Sequence, residues 1–526
     1  MATHVRLEGN ERKAKPGAVR VGKVRAVTPV EVTVTVRHPE LPDARSRLTR
    51  KQLEDNYAVS PKDKDAVKRV LGGYGLTVSD ATASAASLIV SGTAAQIEAA
   101  FEPGLGVYRT PGGREFRGRE GHVKIPRALR GVVTGVFGLD QRPVARRRVR
   151  AARAAPGSTS DDQPLGPAEL EQRYRFPAGR GEGQTIAIAE FGGGYFPADL
   201  RRYCHEHERD VPHLTTVPVG LRPLTRKHIA DLPADRRAEA RGETGEVMMD
   251  VQIVAGLCDK AQIYLLFAPF DQKGWIDLLD RVMALDPLPV TLSVSWGSAE
   301  DCDDWSPAAR RSINHRLHAA ALLGITVCVA TGDDGSGDQM DDDRAHVHFP
   351  ASSPFVLAVG GTMLKGDREV VWWNEPGDQS EPHGGSTGGG VSAEFDRPTW
   401  QRVRRVRSLN RDAIDGRTIP DVAALAGPPG YAVVHNGKRR MSGGTSAAAP
   451  LWAALIARIA ARRPERPAQF LTPLLYAPRR RRAAFRDVTH GHNTSPMPGR
   501  GYAAADGYDA VSGLGVPDGE ALLASL

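Results

Sequence analysis

Apolar and polar residues alternate strictly from Val30 to His38, through Glu31-Val32-Thr33-Val34-Thr35-Val36, and this period of two predicts a half-buried strand. Residues 1–28 lack such a pattern and read as flexible. The period becomes helical from about Thr49 to Leu71, where Gly72-Gly73 supplies a stop. Two short strand-like runs follow, Leu76–Val78 and Ser87–Ser91. Thr93 then stands as N-cap to a helix through Ala94-Ala95-Gln96-Ile97-Glu98-Ala99-Ala100-Phe101. Strand and turn pieces fill Tyr108–Ile125, and Pro126–Val136 reads as a further helix. The order approximates β-α-β-β-α-β, so residues 28–140 are expected to form a split α+β domain of the ferredoxin-like kind.

Beyond residue 163 the pattern changes character. Continuous apolar runs at Thr185–Glu190, Gln262–Phe267, Leu292–Trp296, Ile325–Ala330 and Val356–Gly360 predict fully buried strands. Helical segments separate them, around Pro197–Glu208, Glu246–Leu257, Gly274–Leu285, Pro307–Leu322 and Ala447–Ala461. Buried strands alternating with helices indicate an α/β domain whose parallel sheet carries helices on both faces. Ligands of such sheets meet the carboxyl ends of the strands.

Between the two patterns lies a stretch with no core-forming residues. It holds Arg146-Arg147-Arg148, Arg150 and Arg153, then Ala154-Ala155-Pro156-Gly157-Ser158-Thr159-Ser160. The expected division is a domain over 1–145, an exposed linker over 146–163 and a second domain over 164–526. Composition leaves open whether the linker is a solvated spacer or a site of proteolytic processing.

The chain of 526 residues, 40% hydrophobic and 25% charged, has the composition of an ordinary globular protein. No apolar run is long enough to span a bilayer, and Met1–Lys15 lacks the apolar centre of a secretory signal. The net charge of +8 is unevenly spread. Residues 1–160 hold 29 Lys and Arg against 15 Asp and Glu, and the remainder is net acidic. Opposite charge suggests two bodies that attract one another. The basic residues have no accompanying aromatic platform, which argues against nucleic acid as a partner. Cys204, Cys258, Cys302 and Cys328 are widely spaced and imply neither a disulfide framework nor a metal site.

Candidate chemistry begins at Ser442-Gly443-Gly444-Thr445-Ser446-Ala447-Ala448-Ala449-Pro450, a tight turn feeding a helix with Pro450 expected in its first turn. Ser446 would meet free backbone N–H groups there, a setting suited to a nucleophile whose attack creates an oxyanion. A simple N-cap role for Thr445 or Ser446 is the plainer alternative. Glu246 and Asp250 stand one helical turn apart in an otherwise apolar helix. Two carboxyls together in a low dielectric share a proton and suit acid–base work in acidic solution. Three strands run into Glu190-Phe191-Gly192, Trp296-Gly297 and Thr331-Gly332-Asp333-Asp334. No His-Gly-Thr helix entry exists to supply a triad imidazole, and His383, His490 and His492 lie in polar loops.

Together these strings resemble the sedolisin family of serine-carboxyl peptidases, with an activation prosegment attached, along nearly the whole chain. They include Val136-Phe137-Gly138-Leu139-Asp140 with Arg142-Pro143, Glu190-Phe191-Gly192-Gly193-Gly194-Tyr195, Gly245-Glu246 to Asp250 and Ser293-Val294-Ser295-Trp296-Gly297. Gly332-Asp333, Ser386-Thr387-Gly388-Gly389-Gly390-Val391-Ser392, Gly443-Gly444-Thr445-Ser446 and Ser512-Gly513-Leu514-Gly515 complete the set. The resemblance implies a subtilisin-like fold, Ser446 as nucleophile, Glu246 as general acid/base and Asp250 as its polarising partner. Glu190 and Trp296 would extend that network, and Asp333 would donate to the oxyanion, which it can do only when protonated.

The resemblance also implies one structural Ca2+, held by the side chains of Asp487 and Asp509 and the carbonyls of Val488, Ala505 and Gly507. Protein and peptide substrates, the chain's own prosegment as inhibitor, a monomeric state and an extracellular location follow from it. So does self-processing in acid between Arg148 and Ser160. Gln252, Asp334 and Ala505 depart from the usual Glu, Ser and Gly, and Asp334 sets a second acid beside Asp333. The alternatives are a neutral Ser-His-Asp subtilisin and an inactive binding protein that keeps the fold.

Overall fold

The computed structural model describes residues 3–81, 86–144, 163–379, 384–477 and 484–526. The stretch in which processing is expected, Arg148–Ser160, lies outside the described residues, as does His383. The chain divides into two compact units. The first joins Met1–Arg146 to two later segments, Pro269–Leu285 and Asp303–Ala319, and the second comprises the rest.

Strand Pro29–Val36 organises the first unit. It pairs antiparallel with Ser87–Thr93 on one side and Val133–Phe137 on the other, and Thr77–Asp80 completes a four-stranded sheet. With helices Pro61–Gly72 and Ala94–Phe101 in the connections, this is the ferredoxin-like β-α-β-β-α-β order. Val30, Val32, Val34 and Val36 are buried as the alternation requires, but Thr33 and Thr35 are buried too. Helix Gln272–Met283 belongs to the same unit, and Thr33 Oγ1 donates to its Asp277 at 2.7 Å. The expected half-exposed face is therefore covered.

Three expectations for this unit need correction. Residues 1–28 contain strands His4–Arg12 and Val19–Lys23, which pair with Gly121–Pro126 and Gly106–Arg109. Their partners lie far along the chain, so no local pattern announces them. Thr49–Leu71 is two helices, Arg50–Tyr57 and Pro61–Gly72, because Pro61 favours an extended Ser60 before it and begins a new helix. Pro126–Val136 is a 3-10 turn, Arg127–Leu129, followed by strand Val133–Phe137, whose apolar residues complete the sheet. The Thr93 cap is present as a capping box with Gln96.

In the second unit an eight-stranded sheet runs in the order His213–Pro218, Gln262–Phe267, Thr185–Glu190, Thr291–Val294, Thr326–Ala330 and Leu357–Lys365. Val422–Leu425 adds parallel to the last of these, and Arg368–Val371 adds antiparallel to it. Helix Thr445–Ala461, apolar nearly all round and buried, packs on the sheet and on helix Ala234–Leu257. The order reverses between Thr185–Glu190 and Thr291–Val294. From the first strand the chain moves outward to one edge, then returns and continues to the other. Such a switch point opens a crevice at the carboxyl ends of the two strands.

Candidate active site

Glu190 is the last residue of its strand, and Ser295-Trp296 follow the neighbouring strand directly, so both face the switch point from the carboxyl ends. Gly332-Asp333 follow the third adjacent strand, Thr326–Ala330. Trp296 Nε1 donates to Glu190 Oε2 at 3.0 Å, and Phe191 packs edge-on against the indole. Glu190 is fully buried, and a neutral N–H donor serves it here.

Ser446 is the second residue of helix Thr445–Ala461, and its N-cap is Gly444 at φ +94°. Glycine is required at that cap on two counts. An L-residue is strained at that φ, and a Cβ there would lie 2.4 Å from Asp333 Oδ2. Because the helix begins at Thr445, Pro450 is not in the first turn as expected but in the second. At that depth its missing N–H removes the usual helix donor to the Ser446 carbonyl.

The serine and the acidic helix meet through Ser295. Ser446 Oγ donates to Ser295 O at 3.4 Å, and Ser295 Oγ lies 3.0 Å from Ser446 O and 2.6 Å from Asp250 Oδ2. Asp250 is fully buried, and Glu246, also buried, precedes it by one turn of helix Ala234–Leu257. The neighbouring departure, Gln252, has a structural cause. Its amide donates to Val434 O and accepts from Val434 N, both at 2.7 Å, a pair of bonds that a carboxylate could not make.

Asp333 borders the serine from the other side. Its Oδ1 accepts from the backbone N–H and the hydroxyl of Thr445, each at 2.7 Å, and its Oδ2 accepts from Gln379 Nε2 at 2.7 Å. The adjacent Asp334 accepts from Gln379 N and Gln339 Nε2, and burial pushes its carboxyl up to about 6, with the Asp333 charge adding to the rise. Thus Ser446 is linked to Asp250 through Ser295 and to Asp333 through its chain neighbour Thr445. Sequence reasoning gave no role to Ser295 or Gln379.

The residues expected to hold calcium lie apart from this cluster. Asp487 Oδ2 accepts from Gly507 N at 2.7 Å and Asp509 Oδ2 from Ala505 N at 2.9 Å, so the two carboxylates bracket the turn 505–507. Asp509 Oδ1 accepts from Val511 N, Ser512 N and Ser512 Oγ. The four cysteines are free, and Cys204, Cys258 and Cys328 are buried. Among the described residues no helix is long and apolar enough to cross a membrane.

Comparison with known proteins places this geometry. The Pro-kumamolisin activation domain matches residues 29–142, and the Subtilase family matches residues 248–484. Kumamolisin of Bacillus sp. (strain MN-32) is 36% identical over 99% of this chain and 96% of its own length. Tripeptidyl-peptidase sed5 of Aspergillus fumigatus is 30% identical over 99% of this chain and 97% of its own. Human tripeptidyl-peptidase 1 is 30% identical over 77% and 72% respectively. The structure of Pseudomonas sedolisin, a serine-carboxyl proteinase complexed with pseudo-iodotyrostatin, superposes with a TM-score of 0.58 over 69% of this chain and 97% of that one. At 24% identity it shows the fold. A serine at a helix N-terminus, flanked by buried carboxyls at the switch point of a subtilisin-like sheet and preceded by an activation domain, belongs to a serine-type peptidase, and the chain is a member of the sedolisin family.

Proposed function

We propose that the protein is an acid-active endopeptidase made as a self-processing zymogen. The observation that carries this reading is the contact chain Ser446–Ser295–Asp250, which ties the helix-borne serine to a buried carboxyl one turn from Glu246. In this mechanism Glu246 takes the proton of Ser446 as the hydroxyl attacks the substrate carbonyl, and later returns it to the leaving amine. Asp250 holds and polarises Glu246, with Glu190 and Trp296 behind them. Protonated Asp333 donates to the oxyanion. Its Oδ1 accepts from Thr445 N, so the proton belongs on Oδ2, which keeps a lone pair for Gln379. An ionised Asp333 would repel the intermediate, so activity requires acid.

Within the first unit, acidic residues of the later segments hold the N-terminal ones. Asp277 accepts from Thr33, Asp280 from Ser87 at 2.7 Å, and Asp303 and Asp304 pair with Lys13 and Lys15. Protonating these carboxylates weakens the hold on the prosegment and supports release and processing between Arg148 and Ser160 in acid. One Ca2+ would be held by Asp487, Asp509 and the carbonyls of Val488, Ala505 and Gly507. Two carboxylates and backbone carbonyls are the donor type that a hard cation takes. The ion would supply only a cross-link between residues 487–488 and 505–509. We place the mature enzyme outside the cell, acting as a monomer on proteins and peptides.

The names of two relatives favour a second reading, removal of tripeptides from free N-termini. Cleavage of an N-acetylated peptide at internal bonds distinguishes the endopeptidase. In acid, Ser446→Ala is expected to abolish both peptide cleavage and loss of the prosegment, and Glu246→Gln to lower kcat by about 10³-fold or more. Peptidase activity in Ser446→Ala, read by mass spectrometry of the digest, defeats the proposal.

A further inference from the structure

Asp333 and Asp334 are adjacent in sequence, and a single residue holds both. Gln379 donates its backbone N–H to Asp334 Oδ1 at 2.8 Å and its side-chain amide to Asp333 Oδ2 at 2.7 Å. Asp334 is buried, and its other oxygen accepts from Gln339 Nε2 at 2.6 Å. Backbone pairing fixes its place in the loop, since Ser386 N donates to Asp333 O and Gly335 N to Ser386 O. Asp334 thus anchors the main chain of Gln379, and the anchored residue presents its amide to the neighbouring carboxyl. Asp333 is then restrained on both oxygens. Oδ1 takes the backbone N–H and hydroxyl of Thr445, which tie that edge to the chain neighbour of Ser446. The terminal torsion of an aspartate is soft, so these bonds alone would let Oδ2 swing. Gln379 holds it.

We infer that Gln379 is a positioning residue of the reaction: it sets the direction of Asp333 Oδ2, the oxygen that donates to the oxyanion, and Asp334 is the anchor that keeps Gln379 in place. This rests on the reading of Asp333 given above. A donor whose own backbone is pinned keeps the group it supports in one geometry, which a free side chain would not. An N–H on Oδ2 also favours the ionised form of Asp333, so the contact that orients the acid makes its proton easier to lose. The charged groups around it are Asp334, Asp338 on the same loop, paired with His348 at 3.0 Å, and Asp378, the chain neighbour of Gln379. The first turn of the serine helix, Thr445 to Ala448, carries none. Burial holds the Asp334 proton up to about 6, so in acid the anchor is neutral and sets no second charge beside the oxyanion. A neutral carboxyl still has an acceptor site on each oxygen, so both of its bonds survive.

The test is the pH profile of kcat and KM for the full-length protein after acid processing, with thermal unfolding measured alongside. Gln379→Met keeps the bulk and removes the donor. It is expected to lower kcat about tenfold at the acidic optimum with KM nearly unchanged, and to move the alkaline limb of kcat up by about half a pH unit. Damage to the fold would lower both, so the opposite signs identify a positioning role. Asp334→Ala should lower kcat to the same extent, and the double variant should be no worse than either single one. Asp334→Asn keeps an acceptor for Gln379 N and should restore most of what Asp334→Ala loses. A wild-type profile in Gln379→Met overturns the inference, and so does a fall in kcat with the limb unmoved or lowered. A rise in kcat overturns it too, because Gln379 would then obstruct the oxyanion site. Losses that multiply in the double variant overturn the part given to Asp334. Should Asp334→Ala fail to fold, Gln379→Met decides the matter alone. Wild-type activity in Asp333→Ala would instead overturn the underlying reading.

Discussion

Two regions of carboxyl groups, the surface of the first unit and the interior of the second, are neutralised in different ways. On the surface of the first unit cations do it. Hydrogen bonding to Arg45 holds Asp43 down to about 2, and Lys68 with Lys64 lowers Asp80. Lys124 does the same for Glu102. The surface carboxyls of the second unit pair with cations too, as Asp210 does with Lys260, but several buried ones have neutral donors. Asp334 is served by amides and raised to about 6, and Glu300, fully enclosed, is raised by burial to about 7 while accepting from Ser392 and Ala393. Glu190 and Asp250 meet an indole and a hydroxyl. Asp271, a half-buried N-cap in the first unit, is also raised to about 6 by desolvation, so the distinction follows the donors and the burial and not the address in the chain. Cation-paired carboxyls lose their partners' attraction when acid protonates them, whereas buried carboxyls with neutral donors are at rest in acid.

The strongest challenge to this comparison is a buried ion pair of the first unit. Arg316 grips Asp280 at 2.8 and 3.0 Å, with Ser87 Oγ on the same carboxyl. Arg316→Ala leaves Asp280 buried without its cation and should destabilise the zymogen by about 3–5 kcal/mol, read by denaturant unfolding. A loss below about 1 kcal/mol would put this pair with the surface ones. Next comes Asp333. Its replacement by Ala should cost about 10²–10³-fold in kcat, the usual effect of losing an oxyanion donor. Asp333→Asn, which cannot ionise, should retain more activity and hold it to higher pH. The smallest effect is expected from Glu300→Gln. The folded protein binds the Glu300 proton more tightly than the unfolded chain does. The resulting stability, on the order of 3 kcal/mol, is complete below its ordinary 4.5 and lost as pH rises through about 7. Melting temperatures of the wild type should fall across that window, and those of Glu300→Gln should fall less.

Much of the architecture was legible because its signals are local. Strands Thr185–Glu190 and Gln262–Phe267 and helix Pro307–Leu322 have the bounds read from their apolar runs. Glu246 and Asp250 could be placed on one helical face from spacing alone. What escaped was non-local. Strand His4–Arg12 depends on Gly121–Pro126, and Ser295 meets Ser446 and Asp250 across 151 and 45 positions of sequence. The serine helix starts two residues before the expected Ala447, which moves Pro450 from the first turn to the second.

The packing of helix Gln272–Met283 with the N-terminal sheet bears on how the enzyme can be produced. A recombinant chain started after the linker would make this helix without Thr33, Ser87 or Glu31, the residues that occupy Asp277, Asp280 and Lys273. Its buried acids would face water while the central sheet is still assembling. Supplying residues 3–144 as a separate polypeptide during refolding should raise the yield of such a truncated enzyme, and the same fragment should then bind it as an inhibitor.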